Sequence, residues 1–311
     1  MTNKRSVVIV GAGAIGSALA MACSKRSDLN VTAVGRSEHV ARINENGLKV
    51  SGINRETVAF SARTDIPVSL NDSLVILAVK AFDLETTLEQ MKPALGPNTM
   101  ILLVQNGYGI KELAARVVND LVPHGNIFTG IVGMAVTFEE PGHIQFWGGN
   151  VRLDPDFSTS GYADVFEGTP VKAKISKNIQ RDTWRKLVIN SVVNPLSVLL
   201  RTTNRLIADQ RLDSLKRDLL DEGQAVAKAA GHDLDMDLGF FNQFIETDNY
   251  TSMYQDMAKG RKTEVDFING GIVAEAARLG VDAPLNAWVR DLIKAVEIAR
   301  QEGLMREFPT A

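Results

Sequence analysis

One stretch constrains this chain more than any other: Ser6 to Met21, SVVIVGAGAIGSALAM. Val7 to Val10 is a short, apolar, β-branched run of the kind that forms a buried strand. Gly11, Gly13 and Gly16 follow at G-x-G-x-x-G spacing, and Ser17 to Cys23 is rich in helix formers. Strand, glycine turn and helix in that order form the dinucleotide-binding fingerprint. Gly11 allows the tight turn, Gly13 lets backbone approach a pyrophosphate, and Gly16 lets helix pack close to strand. The helix N-terminus offers free N–H groups and a positive dipole end to the phosphates. An ordinary glycine-rich turn is one competing reading. A secretory leader is another, since Lys4 and Arg5 precede the apolar run and Ala20-Met21-Ala22, then Cys23, mimic a cleavage site. Three glycines interrupt that run, and cleavage there would remove a complete strand–turn–helix unit, which argues against a leader.

The length of 311 residues suits two domains, and 45% hydrophobic with 23% charged residues is ordinary for a globular protein. A net charge of -3 provides no global basic field for nucleic acid, so no nucleic-acid partner is expected. No apolar run is long enough to cross a bilayer, so no membrane partner is expected either. One cysteine excludes an internal disulfide framework, and four scattered histidines argue against a metal site. Composition therefore points to a cytoplasmic protein.

Asn30 to Val34 reads as a second strand, ending in Gly35, Arg36 and Ser37. An NAD-binding chain usually carries Asp or Glu here to accept from the ribose 2′-OH. Arg36 instead suits a 2′-phosphate through charge-assisted bonds, which favours NADP, although a solvated loop charge is the plain alternative. Residues 38–46 look helical. Leu48 to Val50 and Thr57 to Ala62 read as short strands. Leu74 to Val79 and Met100 to Val104 read as buried strands, the first followed by Lys80 and the second by Asn106 and Gly107. In this fold, ligands sit outside the carboxyl ends of parallel strands, so Lys80 and Asn106 are placed to meet one. Asn-Gly is also a common turn dipeptide. Ile127 to Phe146 alternates around Glu139-Glu140-Pro141-Gly142, which reads as a hairpin on the sheet edge. Gly148, Gly149 and Asp154 to Thr159 read as loop, and Val171 to Ile175 as a last strand.

From about residue 178 the pattern is helical, with segments at Trp184–Leu200, Leu212–Ala230, Glu264–Leu279 and Leu285–Ala299. The expected architecture is α/β: an N-terminal Rossmann-type dinucleotide-binding domain over 1–177, then an all-α C-terminal domain over 178–311. A cleft between them is the expected reaction site. The leucine- and valine-rich helices leave open a second copy of the chain as partner, a homodimer.

The helix at Trp184 holds Lys186, Asn190 and Asn194 at i, i+4, i+8, along one face. A polar line within so apolar a helix costs desolvation unless something polar faces it, and a bound keto acid would do so. A solvent stripe is the alternative. Pro195 removes a backbone donor, so a kink or break is expected there, freeing a carbonyl near the same face. Asn249 to Asn269 adds Asn249, Ser252, Asp256, Lys262 and Glu264.

These residues carry a resemblance over nearly the whole chain. GAGAIG (Gly11, Ala12, Gly13, Ala14, Ile15, Gly16), AVKA at 78–81, QNG at 105–107 and PGHI at 141–144 are its general pieces. Its particular pieces are Lys186…Asn190…Asn194-Pro195 and SMYQDMAKGRKTEVDFING at 252–270. The sequence resembles the ketopantoate reductase (2-dehydropantoate 2-reductase) family. The resemblance implies NADP-dependent reduction of 2-dehydropantoate to (R)-pantoate, in the route to pantothenate and coenzyme A. It implies Lys186 as general acid and Glu264 as the catalytic-site carboxylate. Asn106, Asn190, Asn194, Asn249 and Ser252 match substrate-binding positions. The glycine loop, Arg36, Lys80 and Asn106 match cofactor-binding ones. FWGGNVRLDPD, from Phe146 to Asp156, departs from the family's glycine-rich pattern running straight into a strand. The alternatives are a reductase of another branched 2-oxo acid or an opine-like substrate, and an NADP-sensing protein without turnover.

Overall fold

Runs rich in Val, Ile and Leu without polar alternation need cover on both faces, which parallel strands between helices supply. The structure, a computed structural model, describes residues 4–305 and residue 308. The chain packs as two units: residues up to 105 together with 110–179, and residues 106–109 together with 180 onward.

The first unit contains β1 (Arg5–Val10), α1 (Ala14–Ser24), β2 (Leu29–Val34), α2 (Ser37–Asn46), β3 (Leu48–Gly52), β4 (Glu56–Val58), β5 (Ser61–Arg63) and β6 (Ser73–Leu77). It continues with α3 (Leu84–Met91), β7 (Met100–Leu103), α4 (Ile110–Val118), β8 (Ile127–Glu140), β9 (His143–Leu153) and β10 (Lys172–Ile175). The sheet order is β4-β3-β9-β8-β7-β6-β1-β2-β5, with β10 on β9. From β8 to β5 every pairing is parallel. Counted within that stretch the order is 3-2-1-4-5-6, the doubly wound dinucleotide-binding arrangement, with its switch point between β1 and β6. The first unit is thus a Rossmann-type α/β domain.

Some readings of the sequence are corrected here. Thr57–Ala62 is not one strand. It divides into β4, antiparallel to β3, and β5, parallel to β2. These lie at opposite ends of the sheet path yet are separated only by residues 59 and 60. Eight steps across a flat sheet span about 38 Å, whereas so short a link reaches at most about 11 Å. The sheet must therefore curl. Helix α1 packs against β1, β2, β8 and β9 inside that curl, with Gly16 to Cys23 all buried. A helix apolar all round is what such a position demands.

The hairpin of β8 and β9 is likewise not an edge. β9 pairs on with β3 and β10. The strand continues past Phe146 to Leu153, through the glycines read as loop. Gly148 and Gly149 make this possible. Their φ values of 100° and 145° lie where side chains are strained, and the register slips between Met134 and Val136 opposite them. This is a β-bulge.

The second unit is all-α: α5 (Ile179–Leu200), α6 (Asn204–Ile207), α7 (Asp213–Ala229), α8 (Leu238–Ile245), α9 (Ser252–Ala258), α10 (Asn269–Leu279) and α11 (Pro284–Gln301). Trp184, Leu187, Val188, Ile189, Val192, Val193 and Leu196 of α5 are buried in its core. Gly223 lets α7 approach, since a Cβ there would lie 3.1 Å from the Val188 methyls. Helix α5 does not break at Pro195 but continues to Leu200. The helix read from Glu264 begins only at Asn269, and Glu264 sits in the preceding turn, where its carbonyl accepts from the N–H groups of Phe267 and Ile268. Among the described residues no helix is long and apolar enough to cross a membrane.

His39 ties the first unit together. Its Nδ1 accepts from the Gly142 N–H at 2.9 Å, so the proton sits on Nε2, 3.0 Å from Ser17 Oγ. Its ring lies 4.9 Å from that of Phe138. Burial lowers its pKa below the usual histidine value. The unfolded chain then takes up a proton near pH 6.5 that the folded one still refuses. Stability is complete above that pH and is lost as pH falls, by at most about 1.4 kcal/mol per pH unit. Urea unfolding between pH 8 and 5 is expected to show a steeper loss in the native chain than in His39→Gln.

Candidate functional site

The glycine loop follows β1 directly. Gly11 has φ 101°, and a Cβ on it would lie 2.5 Å from the Val79 nitrogen. A Cβ on Gly16 would lie 2.1 Å from the Gly11 oxygen. Both glycines are required by packing. Gly13 differs, since a Cβ there would meet nothing within 4 Å. It precedes α1, whose N-terminus has no side-chain cap and no acidic residue in its first turn. Space beside an uncapped helix N-terminus, next to residues Ala12, Ala14 and Ile15, is the form a pyrophosphate cradle takes.

Arg36 and Lys80 share that edge. Arg36 precedes α2 two residues beyond β2, and is exposed. Lys80 is half-buried three residues beyond β6. β6, β1 and β2 are adjacent and parallel, so the loop, Arg36 and Lys80 leave three neighbouring carboxyl ends. These residues fit a phosphate-bearing dinucleotide: an open cradle with two cations beside it.

Asn106 belongs to a different group. Residues 106–109 pack on the second unit. Tyr108 N–H donates to the Phe267 carbonyl at 2.9 Å. Its hydroxyl donates to Glu275 Oε1 at 3.1 Å, and its ring lies 4.6 Å from that of Trp184. Gly107 is at φ 115°, where a Cβ would come 2.7 Å from Phe267 Cβ. So held, Asn106 Nδ2 donates to Glu264 Oε2 at 3.4 Å. Glu264 is only 6% exposed.

Glu264 in turn acts on Lys186. Burial lowers the Lys186 pKa from its ordinary value to about 8, and the nearby Glu264 carboxylate pulls it partly back. Asn190 and Asn194 lie one and two turns further along α5. Asn194 is 3% exposed, and its Nδ2 has no acceptor among the described residues. An unmet buried donor is rare and marks a place where something else accepts.

Ser252 opens α9 and is exposed, as is Asn249. Thr251, the α9 cap, accepts from Tyr254 N–H at 3.0 Å and lies 2.6 Å from Ser197 Oγ, which donates to the Asn194 carbonyl. That chain attaches α9 to α5 beside Asn194. Thr251 carried a readable signal, as a threonine before a short helix. Tyr108, Glu275 and Asn269 carried none, because their partners are distant in sequence. Among the described residues no group of three or more His, Cys, Asp or Glu could hold a metal ion.

Residues 7–154 match the model for "Ketopantoate reductase PanE/ApbA", and residues 178–297 match its C-terminal counterpart. The chain belongs to the ketopantoate reductase family. It is 34% identical over 304 residues to the 2-dehydropantoate 2-reductase of Pyrococcus abyssi, covering 94% of this chain and 97% of that one. The PanE/ApbA family ketopantoate reductase of Ralstonia eutropha JMP134 superposes with TM-score 0.84 at 29% identity, covering 95% of this chain and 99% of that one. A D-mandelate dehydrogenase solved with NADH gives TM-score 0.79 at 25% identity, covering 94% and 99%.

The two kinds of glycine predict separable failures. Gly13→Ala is expected to melt within a few degrees of the native chain but to bind the reduced cofactor about tenfold more weakly or worse. Gly16→Ala is expected to lower the melting temperature itself. Thermal melts and a cofactor fluorescence titration check both.

Proposed function

We propose that this family member reduces 2-dehydropantoate to (R)-pantoate with NADPH, Lys186 being the general acid. One observation carries the reading: on α5, among the buried Leu187, Val188, Ile189, Val192 and Val193, Lys186, Asn190 and Asn194 share one face, and the buried Asn194 amide has no acceptor among the described residues. A 2-oxo acid with a hydroxyl group supplies acceptors for such donors without adding a cation.

A nicotinamide dinucleotide is the cofactor class, and when bound in reduced form it supplies a hydride. The first unit's part is to hold its phosphates at the α1 N-terminus. Arg36 is exposed at the end of β2 where an NAD site usually has a carboxylate, and this supports NADPH over NADH. The second unit's part is to bind and protonate. As the substrate carbonyl carbon accepts the hydride, negative charge grows on its oxygen. The Lys186 ammonium stabilises that charge and transfers its proton to the oxygen, leaving a neutral amine to be recharged from water. Glu264 keeps the ammonium charged against the cost of burial, and Asn106 steadies Glu264. Asn190 and Asn194 hold the substrate's polar groups, with Asn249 and Ser252 assigned to its carboxylate side.

Lys186→Ala is expected to keep NADPH binding and to lower kcat by roughly 10²-fold or more. An unchanged kcat with 2-dehydropantoate would remove Lys186 from the role. A panel of branched 2-oxo acids, followed by NADPH absorbance, tests the substrate; a better substrate than 2-dehydropantoate would reassign it.

The active form of Lys186 is the protonated one, present below its lowered pKa of about 8. The native enzyme's kcat/KM is therefore expected to fall as pH rises through that value. Arg36→Ala is expected to weaken NADPH about tenfold or more and NADH hardly at all, the cost of a lost charge-assisted contact. Equal losses would argue against contact with a 2′-phosphate.

A further inference from the structure

Pro195 lacks an N–H, so the carbonyl four residues earlier on α5, that of Ser191, loses its helical partner. That carbonyl is not left bare. Asn269 Nδ2, at the start of α10, donates to it at 2.9 Å. The same nitrogen donates its second proton to Asn286 Oδ1 at 3.0 Å. Asn286 Nδ2 then donates to Glu222 Oε1 at 2.8 Å, and that carboxylate also accepts from the N–H groups of Leu285 and Asn286 at the head of α11. Asn269 and Asn286 are completely buried.

The direction of this chain is not arbitrary. Both its ends, a carboxylate and a backbone carbonyl, are acceptors only. Each amide must therefore turn its nitrogen toward them, which fixes Asn269 as a donor to Ser191. A side chain from another helix thus replaces the bond that proline removed.

The position of the gap matters. Ser191 follows Asn190 and lies between Lys186 and Asn194. A missing bond at this turn is where the Asn194 end of α5 is free to tilt against the Lys186 end. We propose that Asn269 is a positioning residue: by serving the Ser191 carbonyl that Pro195 leaves open, it fixes the spacing of the substrate-holding amide of Asn194 from Lys186. The inference rests on the reading of α5 given above. It assigns Asn269 no contact with substrate.

The bond that Asn269 supplies is one an ordinary residue at 195 would supply for itself, and this makes the test specific. Asn269→Ala is expected to lower kcat/KM for 2-dehydropantoate about tenfold or more, as small misplacements of reacting groups do. The KM for NADPH is expected to stay within about twofold, because the glycine loop is untouched. Pro195→Ala restores an N–H to the helix. The double variant Asn269→Ala/Pro195→Ala is expected to recover most of the lost kcat/KM, which a role for Asn269 through its other bond, to Asn286, would not yield, because the restored N–H does not replace that bond. If Asn269→Ala does not fold, the double variant is still expected to fold and turn over. A double variant as impaired as the single one overturns the proposal. So does a folded Asn269→Ala with native kcat/KM and only a lower melting temperature. Lys186→Ala, measured alongside, keeps the two readings apart: native turnover in that variant sinks the assignment of α5, whatever Asn269 does.

Discussion

A charged amine taken out of water is unstable unless its surroundings compensate, and several groups of the second unit answer that requirement. Desolvation alone would drive Lys186 toward the neutral form. Glu264 opposes this, and Glu264 is itself buried, so it also needs a donor, which Asn106 provides. Asn106 is held because Gly107 can take a positive φ against Phe267 and because Tyr108 is pinned by Trp184 and Glu275. Each group exists to satisfy the one before it. The outcome is an ammonium whose pKa is lowered to about 8, within the range that suits the proton transfer proposed for it.

The first unit answers a different constraint. Phosphates need backbone N–H groups brought close, and that requires glycine where a Cβ would strike the neighbouring turn. Gly11 and Gly16 meet that need inside the fold, while Gly13 leaves room outside it. The curled sheet then explains why α1 is apolar on every side. It is wrapped by β1, β2, β8 and β9 rather than lying on a surface. The same residues that make α1 resemble a leader sequence make it a core helix.

What could be read from the sequence was whatever is local. The glycine loop, the buried strands β1, β6 and β7, and the spacing of Lys186, Asn190 and Asn194 are periodic or contiguous, and they stand where the sequence places them. Non-local features were not legible. Thr57–Ala62 alternates well enough for one strand, but the partner of each half is decided by distant segments. Gly148 and Gly149 read as loop because glycine is common there, whereas a bulge uses the same freedom inside a strand. Glu264 reads from the sequence as the first residue of a helix, which in fact begins at Asn269. Its burial depends on the loop at Asn106, which is distant in sequence.

Pro195 shows why local rules mislead here in a useful direction. The rule that proline interrupts a helix is a statement about an unmet carbonyl and a steric clash, not about the helix axis. If the carbonyl finds another donor, the helix can continue, and Asn269 is that donor. The substitution is not neutral, however. A bond internal to α5 has been exchanged for a bond to α10, and through Asn286 and Glu222 to α11 and α7. The geometry of the helix carrying Lys186 is thereby made to depend on the packing of three others. An alanine at 195 would give α5 a shape of its own, and proline makes that shape a property of the whole helical unit.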